Sequence, residues 1–438
     1  MRPSRLQLVF ATLLLPFFLL ASIRPETRAV LGVLFVLYGL VLVSDFFISR
    51  QVLDDIQVFF ESLVRFSKDR EGELFFRLSN PQQKKTNIDI GLPLEWVLGA
   101  KDEVVSVVLP DGVKETRSNF ILVPQKRGKY FLKSCYLSTK SIFGFWEIKK
   151  QKPIDLEIRV YPNLFKERSK NAVLFLNRGD HGSHVVRLVG QGREFEKLRE
   201  YQVGDNFTDI HWKATARKAR PITKTYQMEK TQEVYVALDF SRLSRRMIQN
   251  ETTLEGFLSS SLIMAMAAER QGDHFGLLAF SNRVHKFLKA NSGPGHFGTC
   301  RELLYNLEPH EVNPDFTEVF TTLRTKLRHR SLIIFLTELD DPVLKENFLE
   351  KVHVISRQHL VLVNVVRPDF FKPLFSDSNL KSDLDIYRNL ASHLSWQGLR
   401  ELEKEFQRQG VFFSELTTHH MSSDLVNQYM KIKQRQLL

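Results

Sequence analysis

The chain has 438 residues, enough for two or three domains, and a hydrophobic share of 43% that argues against wholesale disorder. Its formal charge of +12 calls for an anionic neighbour: lipid headgroups, nucleic acid or an acidic protein. Cys135 and Cys300 are the two cysteines, with no CxxC spacing, which excludes a disulfide framework and a cysteine zinc site and suits a reducing compartment.

Two apolar runs open the chain, residues 6–23 and 29–48, each about long enough to span a bilayer as a helix. Pro16 lies in the first, and membrane helices tolerate such a proline. Arg2 and Arg5 before the first run also fit a cleaved signal peptide. The link of five residues, 24–28, fits a helical hairpin better. Arg2, Arg5, Arg50 and the basic bulk place both ends on the cytoplasmic side, while Arg24 and Arg28 in the link count the other way. The reading is a transmembrane hairpin over 1–50 in a cytoplasmic (inner) membrane, multi-pass, with the soluble part cytoplasmic.

Residues 51–163 hold short segments rich in β-branched and aromatic residues, such as GELFFRLSN, VVSVVLP and DLEIRVYP, separated by Asn-Pro, Asp-Gly and Arg-Gly turns. They predict a small antiparallel β-sandwich with no catalytic cluster, a spacer or interaction module. Residues 164–233 read as a connecting region. Its His181 and His184 lie among glycines, which argue against the helix face that would pair them on a metal, and read as a solvated loop. From 234 to 438, apolar strands alternate with helices. Strands are predicted at 234–240, 275–280, 284–288, 331–338, 360–366 and 411–415, and helices at 254–268, 296–307, 316–327, within 383–409 and from 422. That alternation predicts a mostly parallel, Rossmann-like α/β sheet covered on both faces.

The first of these strands delivers Asp239 and Ser241 to the sheet's C-terminal rim, and another brings Thr337 and Glu338, with Asp340 and Asp341 just beyond. Hard oxygen donors of this kind suit Mg2+ or Mn2+. The pattern resembles the von Willebrand factor A domain, whose metal motif is Asp-x-Ser-x-Ser. Asp239 and Ser241 match, but Leu243 replaces the second serine, and Thr-Glu-Leu (Thr337, Glu338, Leu339) replaces Thr-Asp-Gly. Thr317 is the first candidate for the threonine that such sites take from a separate loop, and Thr299 the second. The alternatives are a degenerate site holding an ion through Asp239, Ser241, Thr317 and Glu338, and the same rim with no ion.

Residues 190–230 are the most specific stretch. Gly192, Glu194, Phe195, Leu198, Arg199, Tyr201, Gly204, Asp205, Ile210, Trp212, Lys213, Ala216 and Arg217 closely resemble the signature of the bacterial domain-of-unknown-function family numbered fifty-eight. Thr208 stands where that family commonly has arginine. The resemblance implies a membrane-anchored, von Willebrand A-like protein acting as a noncatalytic scaffold or adaptor, and as partner a MoxR-type AAA+ ATPase often encoded beside it. Without the family, Glu194, Arg199, Glu200, Asp205 and Arg217 suggest an ion-pair network. Phe195, Leu198, Tyr201, Ile210 and Trp212 suggest burial against the sheet, and Gly204-Asp205 a turn. Together they read as a clasp between domains or a docking surface.

Two other classes bear on the same stretch. Asp209 and His211, two apart, resemble an oriented base, but no Gly-x-Ser-x-Gly, HExxH or reactive-cysteine setting accompanies them. Lys213, Arg217, Lys218, Arg220 and Lys224 form a basic run that nucleic acid, anionic lipid or water could face. No phosphate-cradling Gly-x-x-x-x-Gly-Lys-Ser/Thr loop occurs, so nucleotide hydrolysis would fall to a partner.

Overall fold

The computed structural model describes all residues except 24–27, 84, 165–188, 191–193, 203–206, 228–231, 249–250, 369–370, 375–382 and 436–438. The chain divides into two units, Met1–Asn163 and Leu164–Leu438.

Both apolar runs of the first unit are helical: α1 (Arg5–Ile23) and α2 (Arg28–Ser49). Among the described residues one stretch, Gly32–Ser49, is long and apolar enough to cross a membrane, and the apolar stretch Arg5–Leu14 is shorter. Eight strands follow: β1 (Gln57–Phe60), β2 (Leu63–Ser67), β3 (Gly72–Ser79), β4 (Thr86–Gly91), β5 (Val104–Leu109), β6 (Glu115–Leu122), β7 (Gly128–Lys140) and β8 (Trp146–Tyr161). One sheet is β1-β3-β6; the other runs β8-β7-β4-β5, with β2 and the short strand Arg2–Pro3 also pairing β8. The inward residues alternate as half-buried strands require. Leu74, Phe76, Leu78 and Phe120 of the first sheet share one apolar core with Ile88, Ile90, Leu137 and Ile158 of the second. The apolar run 58–66 (VFFESLVRF) breaks at Glu61-Ser62 into strands of different sheets. Pro153, which has no N–H to give, sits at an irregularity in the β7–β8 ladder, where the register shifts between Leu132 and Ser134.

In the second unit the signature stretch forms a small sheet. The antiparallel pair β9 (Glu194–Glu200) and β10 (Ile222–Gln227) is joined by the helix α3 (Trp212–Lys218), and the short strand Val189–Gly190 pairs β10. The expected loop histidines His181 and His184 lie outside the described residues.

The α/β sheet is built from β11 (Glu233–Asp239), β12 (His274–Phe280), β13 (Val284–Asn291), β14 (Leu332–Leu336), β15 (Leu360–Arg367) and β16 (Phe412–Thr417), in the order β13-β12-β11-β14-β15-β16. All pairings are parallel except β12–β13. The helices α4 (Thr253–Arg270), α5 (Pro294–Leu304) and α9 (Met421–Gln434) cover one face through Phe257, Leu304 and Tyr429. The helices α6 (Phe316–Lys326), α7 (Pro342–Ser356) and α8 (Asp383–Arg408) cover the other through Phe320, Phe348 and Phe406. The strands are buried on both faces, as parallel sheets demand: Val234 and Val236 face one core, Tyr235 and Ala237 the other. This is the α/β architecture expected from the sequence. The helix α7 was absent from that expectation.

Candidate functional site

The sheet order reverses between β11 and β14, and the C-terminal rim at such a switch point is where open α/β sheets place ligands. Asp239 closes β11 and is fully buried. Its Oδ1 accepts the Ser241 N–H at 2.8 Å and its Oδ2 accepts the Thr337 hydroxyl at 2.6 Å, so the ends of two neighbouring strands are tied through one carboxylate. Burial pushes this carboxyl above its ordinary range, while the bonds from Thr337 and Ser241 pull it back. Ser241 is buried too and caps a short 3-10 turn, accepting from the Leu243 N–H at 3.4 Å. Leu243 packs on the α6–α8 core, so a serine hydroxyl is replaced there by an apolar anchor.

Glu338 follows Thr337, almost wholly buried, and neither carboxyl oxygen has a hydrogen-bond partner. Burial, reinforced by Asp340, raises it well above the ordinary carboxylate range; Arg246 acts the other way. Asn364, at the same rim on β15, is likewise buried with its amide unpaired. These orphaned oxygens are the feature of the rim that fits a hard cation. Thr317 does not complete the set: it is exposed on α6, and its hydroxyl accepts from the Lys351 ammonium of α7 at 2.6 Å, a positive charge that disfavours a cation there. Thr299 is exposed on α5 and donates to the Gly295 carbonyl. Among the described residues no three His, Cys, Asp or Glu side chains form a metal-ligand group.

Three arginines crown the rim, a feature absent from the sequence expectations although FSRLSRR follows Asp239 directly. Arg242 donates to Asp341 at 2.9 Å, Arg246 to Asp340 at 2.8 Å, and Arg245 pairs with Glu311. Asp341 also caps α7. Desolvation is the largest influence on its carboxyl, yet the N–H groups of Leu344 and Val343 and the Arg242 guanidinium together hold it below the usual range.

A second cluster lies beside the crown. Ser281, buried at the end of β12, has its hydroxyl 2.9 Å from His285 Nε2 and 3.2 Å from His310 Nδ1. A hydroxyl carries one proton, so at least one of these imidazole nitrogens must be the donor if both bonds form. Phe240 packs edge-on against both rings. Burial and then the neighbouring His310 push the His285 imidazole below its ordinary range.

The signature residues corrected several expectations. Ile210 is buried, but Leu198 is 41% and Trp212 70% exposed, so the expected burial of this set is only partial. Tyr201 stacks on Phe207 at 5.8 Å. Glu200 pairs with Arg220, outside the five charges expected to form a network. Gly192, Gly204 and Asp205 lie outside the described residues, as do the side chains of Glu194, Phe195 and Asp209. Lys213, Ala216 and Arg217 are exposed on α3. Phe207–Asp209 is a 3-10 turn, and His211 caps α3, its Nδ1 accepting the Ala214 N–H at 3.0 Å. That nitrogen is engaged in holding a helix.

Residues 197–370 match the family model described as "Protein of unknown function DUF58". The matched range starts after Gly192, Glu194 and Phe195. The chain is 22% identical over 191 residues to the uncharacterised protein Mb1516 of Mycobacterium bovis and, equally, to the uncharacterised protein Rv1480 of Mycobacterium tuberculosis. The match covers 43% of this chain and 59% of each relative, so the chain spans about three fifths of the length of the curated relatives it matches. Among solved structures, it is similar to an aerotolerance-related membrane protein of Bacteroides fragilis (TM-score 0.30, 15% identity, 46% of this chain and 98% of that one). It is also similar to the SpRpn10 VWA domain (TM-score 0.28, 12% identity, 45% and 95%). Over residues 197–370, then, this chain resembles the DUF58 proteins, the family to which its signature residues pointed.

Proposed function

We propose that the chain is a membrane-anchored, noncatalytic scaffold or adaptor whose α/β domain grips a protein partner at the rim around Asp239. The observation that carries this reading is the arginine crown: Arg242, Arg245 and Arg246 stand over a buried polar floor of Asp239, Ser241, Thr337 and Glu338. Such a surface offers exchangeable ion pairs to an acidic partner segment, and no phosphate-binding loop is present in the sequence for chemistry of its own. The family resemblance names a MoxR-type AAA+ ATPase as the partner class. In the same reading α1 and α2 cross the cytoplasmic membrane as a hairpin, the two sheets of 51–163 are a β-sandwich spacer, and both soluble parts are cytoplasmic. The basic residues of α3 face solvent or lipid rather than specific nucleic acid.

A magnesium or manganese ion belongs to this proposal as an option of the rim. Asp239, Ser241 and Glu338 would hold it, Glu338 through the oxygens that lack a protein partner. Bound there, it would supply a coordination position for a partner carboxylate.

The test is affinity capture of tagged full-length protein from gently solubilised membranes, beside the variants Asp239→Ala and Arg246→Glu, with mass spectrometry of retained proteins. An AAA+ ATPase retained by the parent and lost from both variants supports the rim as the contact. Retention by all three moves the contact to the signature sheet or the β-domain. Absence of any ATPase, crosslinked or not, removes the adaptor reading.

A further inference from the structure

The turn between β7 and β8, residues 141–145 (SIFGF), is not a solvated hairpin tip. Its backbone is handed to the helices. Asp45, fully buried near the end of α2, accepts the Ser141 hydroxyl at 2.5 Å through Oδ2 and the Phe143 N–H at 3.2 Å through Oδ1. The Ser49 hydroxyl oxygen accepts the Ile142 N–H at 3.2 Å. At the start of α1, the Ser4 N–H donates to the Phe145 carbonyl at 2.8 Å and its hydroxyl to the Gly144 carbonyl at 2.5 Å. The Trp146 indole N–H reaches the Leu42 carbonyl at 3.0 Å, and Phe145 lies edge-on to Phe10 and Tyr38.

With these backbone groups satisfied inside the protein, the turn turns apolar side chains outward: Ile142 is 65% and Phe143 54% exposed. They continue the exposed apolar surface of α2, where Val43, Phe47 and Ile48 also face out. Polar residues begin at once on the strands behind the turn, with Lys140 on one and Glu147, Lys149 and Lys150 on the other. Arg50 lies over the Phe47 ring at 5.5 Å. Satisfied backbone, projecting aliphatic and aromatic side chains, an indole at the boundary and cations just beyond it are what an element entering a bilayer edge requires. A water-facing hairpin needs none of the Asp45, Ser49 and Ser4 bonds, since solvent would serve those groups.

We propose that the β7–β8 turn is a further membrane-contacting element. Ile142 and Phe143 insert among the lipid acyl chains at the bilayer edge, and the lysines behind them face anionic headgroups. The inference rests on the reading of α2 as a membrane helix. Asp45 is then a positioning residue, locking the turn to the helix so that the β-domain meets the membrane at a fixed attitude.

The experiment places a nitroxide on Phe143→Cys in full-length protein, in nanodiscs of phosphatidylcholine and phosphatidylglycerol; native Cys135 and Cys300 are buried. Leu37→Cys on α2 is the lipid control and Asp111→Cys on the β5–β6 turn the aqueous one. Collision with oxygen and with a nickel chelate reports depth. The expected result is a Phe143 label that follows Leu37, favouring oxygen, while Asp111 favours nickel. A Phe143 label that follows Asp111 while Leu37 still favours oxygen overturns the turn's insertion and leaves the anchor standing. Nickel access at Leu37 overturns the anchor and this inference with it. An Asp45→Ala background keeps the Leu37 reading and shifts the Phe143 label toward nickel if Asp45 does the positioning; an unchanged Phe143 label removes that role.

Discussion

The Thr337 hydroxyl donates to Oδ2 of Asp239 across 2.6 Å, and both residues are fully buried at the ends of adjacent parallel strands. Replacing Thr337 by Val keeps the shape and leaves a buried carboxylate oxygen short of a partner. The expected cost is about 1–3 kcal/mol, read as a lower thermal midpoint in detergent-solubilised protein. Thr337→Ser retains the hydroxyl and is expected to lie closer to the parent; equal losses in both variants would show that the bond is not what matters there.

Glu338 gives a prediction in pH. Its carboxyl is raised by burial above its unfolded value, so the unfolded state releases its proton first and stability falls as pH rises between the unfolded and folded values. Glu338→Gln removes that charge. The variant is expected to melt higher than the parent at pH 8 in chelator and to show a flatter slope from pH 5 upward. Added Mg2+ or Mn2+ is expected to raise the parent's midpoint and leave the variant's unchanged; a response in neither would make the rim a metal-free surface.

His285 has the opposite sign. Its imidazole is pushed below the ordinary histidine value by burial and by His310, so the stability tied to its neutral form is present above about pH 6.5 and lost as the pH falls toward the folded value. A His285→Asn protein is expected to lose less of its midpoint between pH 7.5 and 5.5 than the parent does. Identical acid slopes would assign the loss to other groups, with buried His359, also lowered by burial, next in line.

Gly276 is required by Tyr235. A Cβ at residue 276 would lie 2.3 Å from Cε1 of the Tyr235 ring, whose hydroxyl is fixed by the Ala290 N–H at 3.1 Å. Gly276→Ala is expected to cost roughly 1–3 kcal/mol through overpacking, and Tyr235→Val in the same chain to recover part of it. An additive double variant would show that the two residues do not share that space.

The α/β domain was legible because burial on both faces writes itself as continuous apolar runs such as VYVALDF and LIIFLTE. The helix α7 is written in the sequence as well, since Leu344, Phe348, Val352 and Ile355 keep helical spacing after the capping Asp341. The Ser281–His285–His310 cluster was not legible. Only the β12–β13 turn and the loop before α6 bring residues up to 29 positions apart onto one hydroxyl. Leu198 and Trp212 failed for a different reason. An apolar side chain in a polar segment signals a contact without saying whether this chain or another molecule provides it.

The β7–β8 hairpin carries one more consequence. Its register runs unbroken apart from one irregularity, from Lys140 opposite Glu147 to Gly128 opposite Val160. At the strand rise of about 3.3 Å per residue, the thirteen residues of β7 span on the order of 40 Å. One end of this ribbon is locked to α2 by Asp45, and at the other β8 closes at Tyr161, two residues before the unit ends at Asn163. The hairpin is therefore a ruler within its own unit: it sets how far the open end of the ribbon, Gly128 opposite Val160, stands from the end of α2. Adding or deleting a pair of residues on both strands would move that open end in steps of about 7 Å without altering a residue of α2 or of the turn it holds.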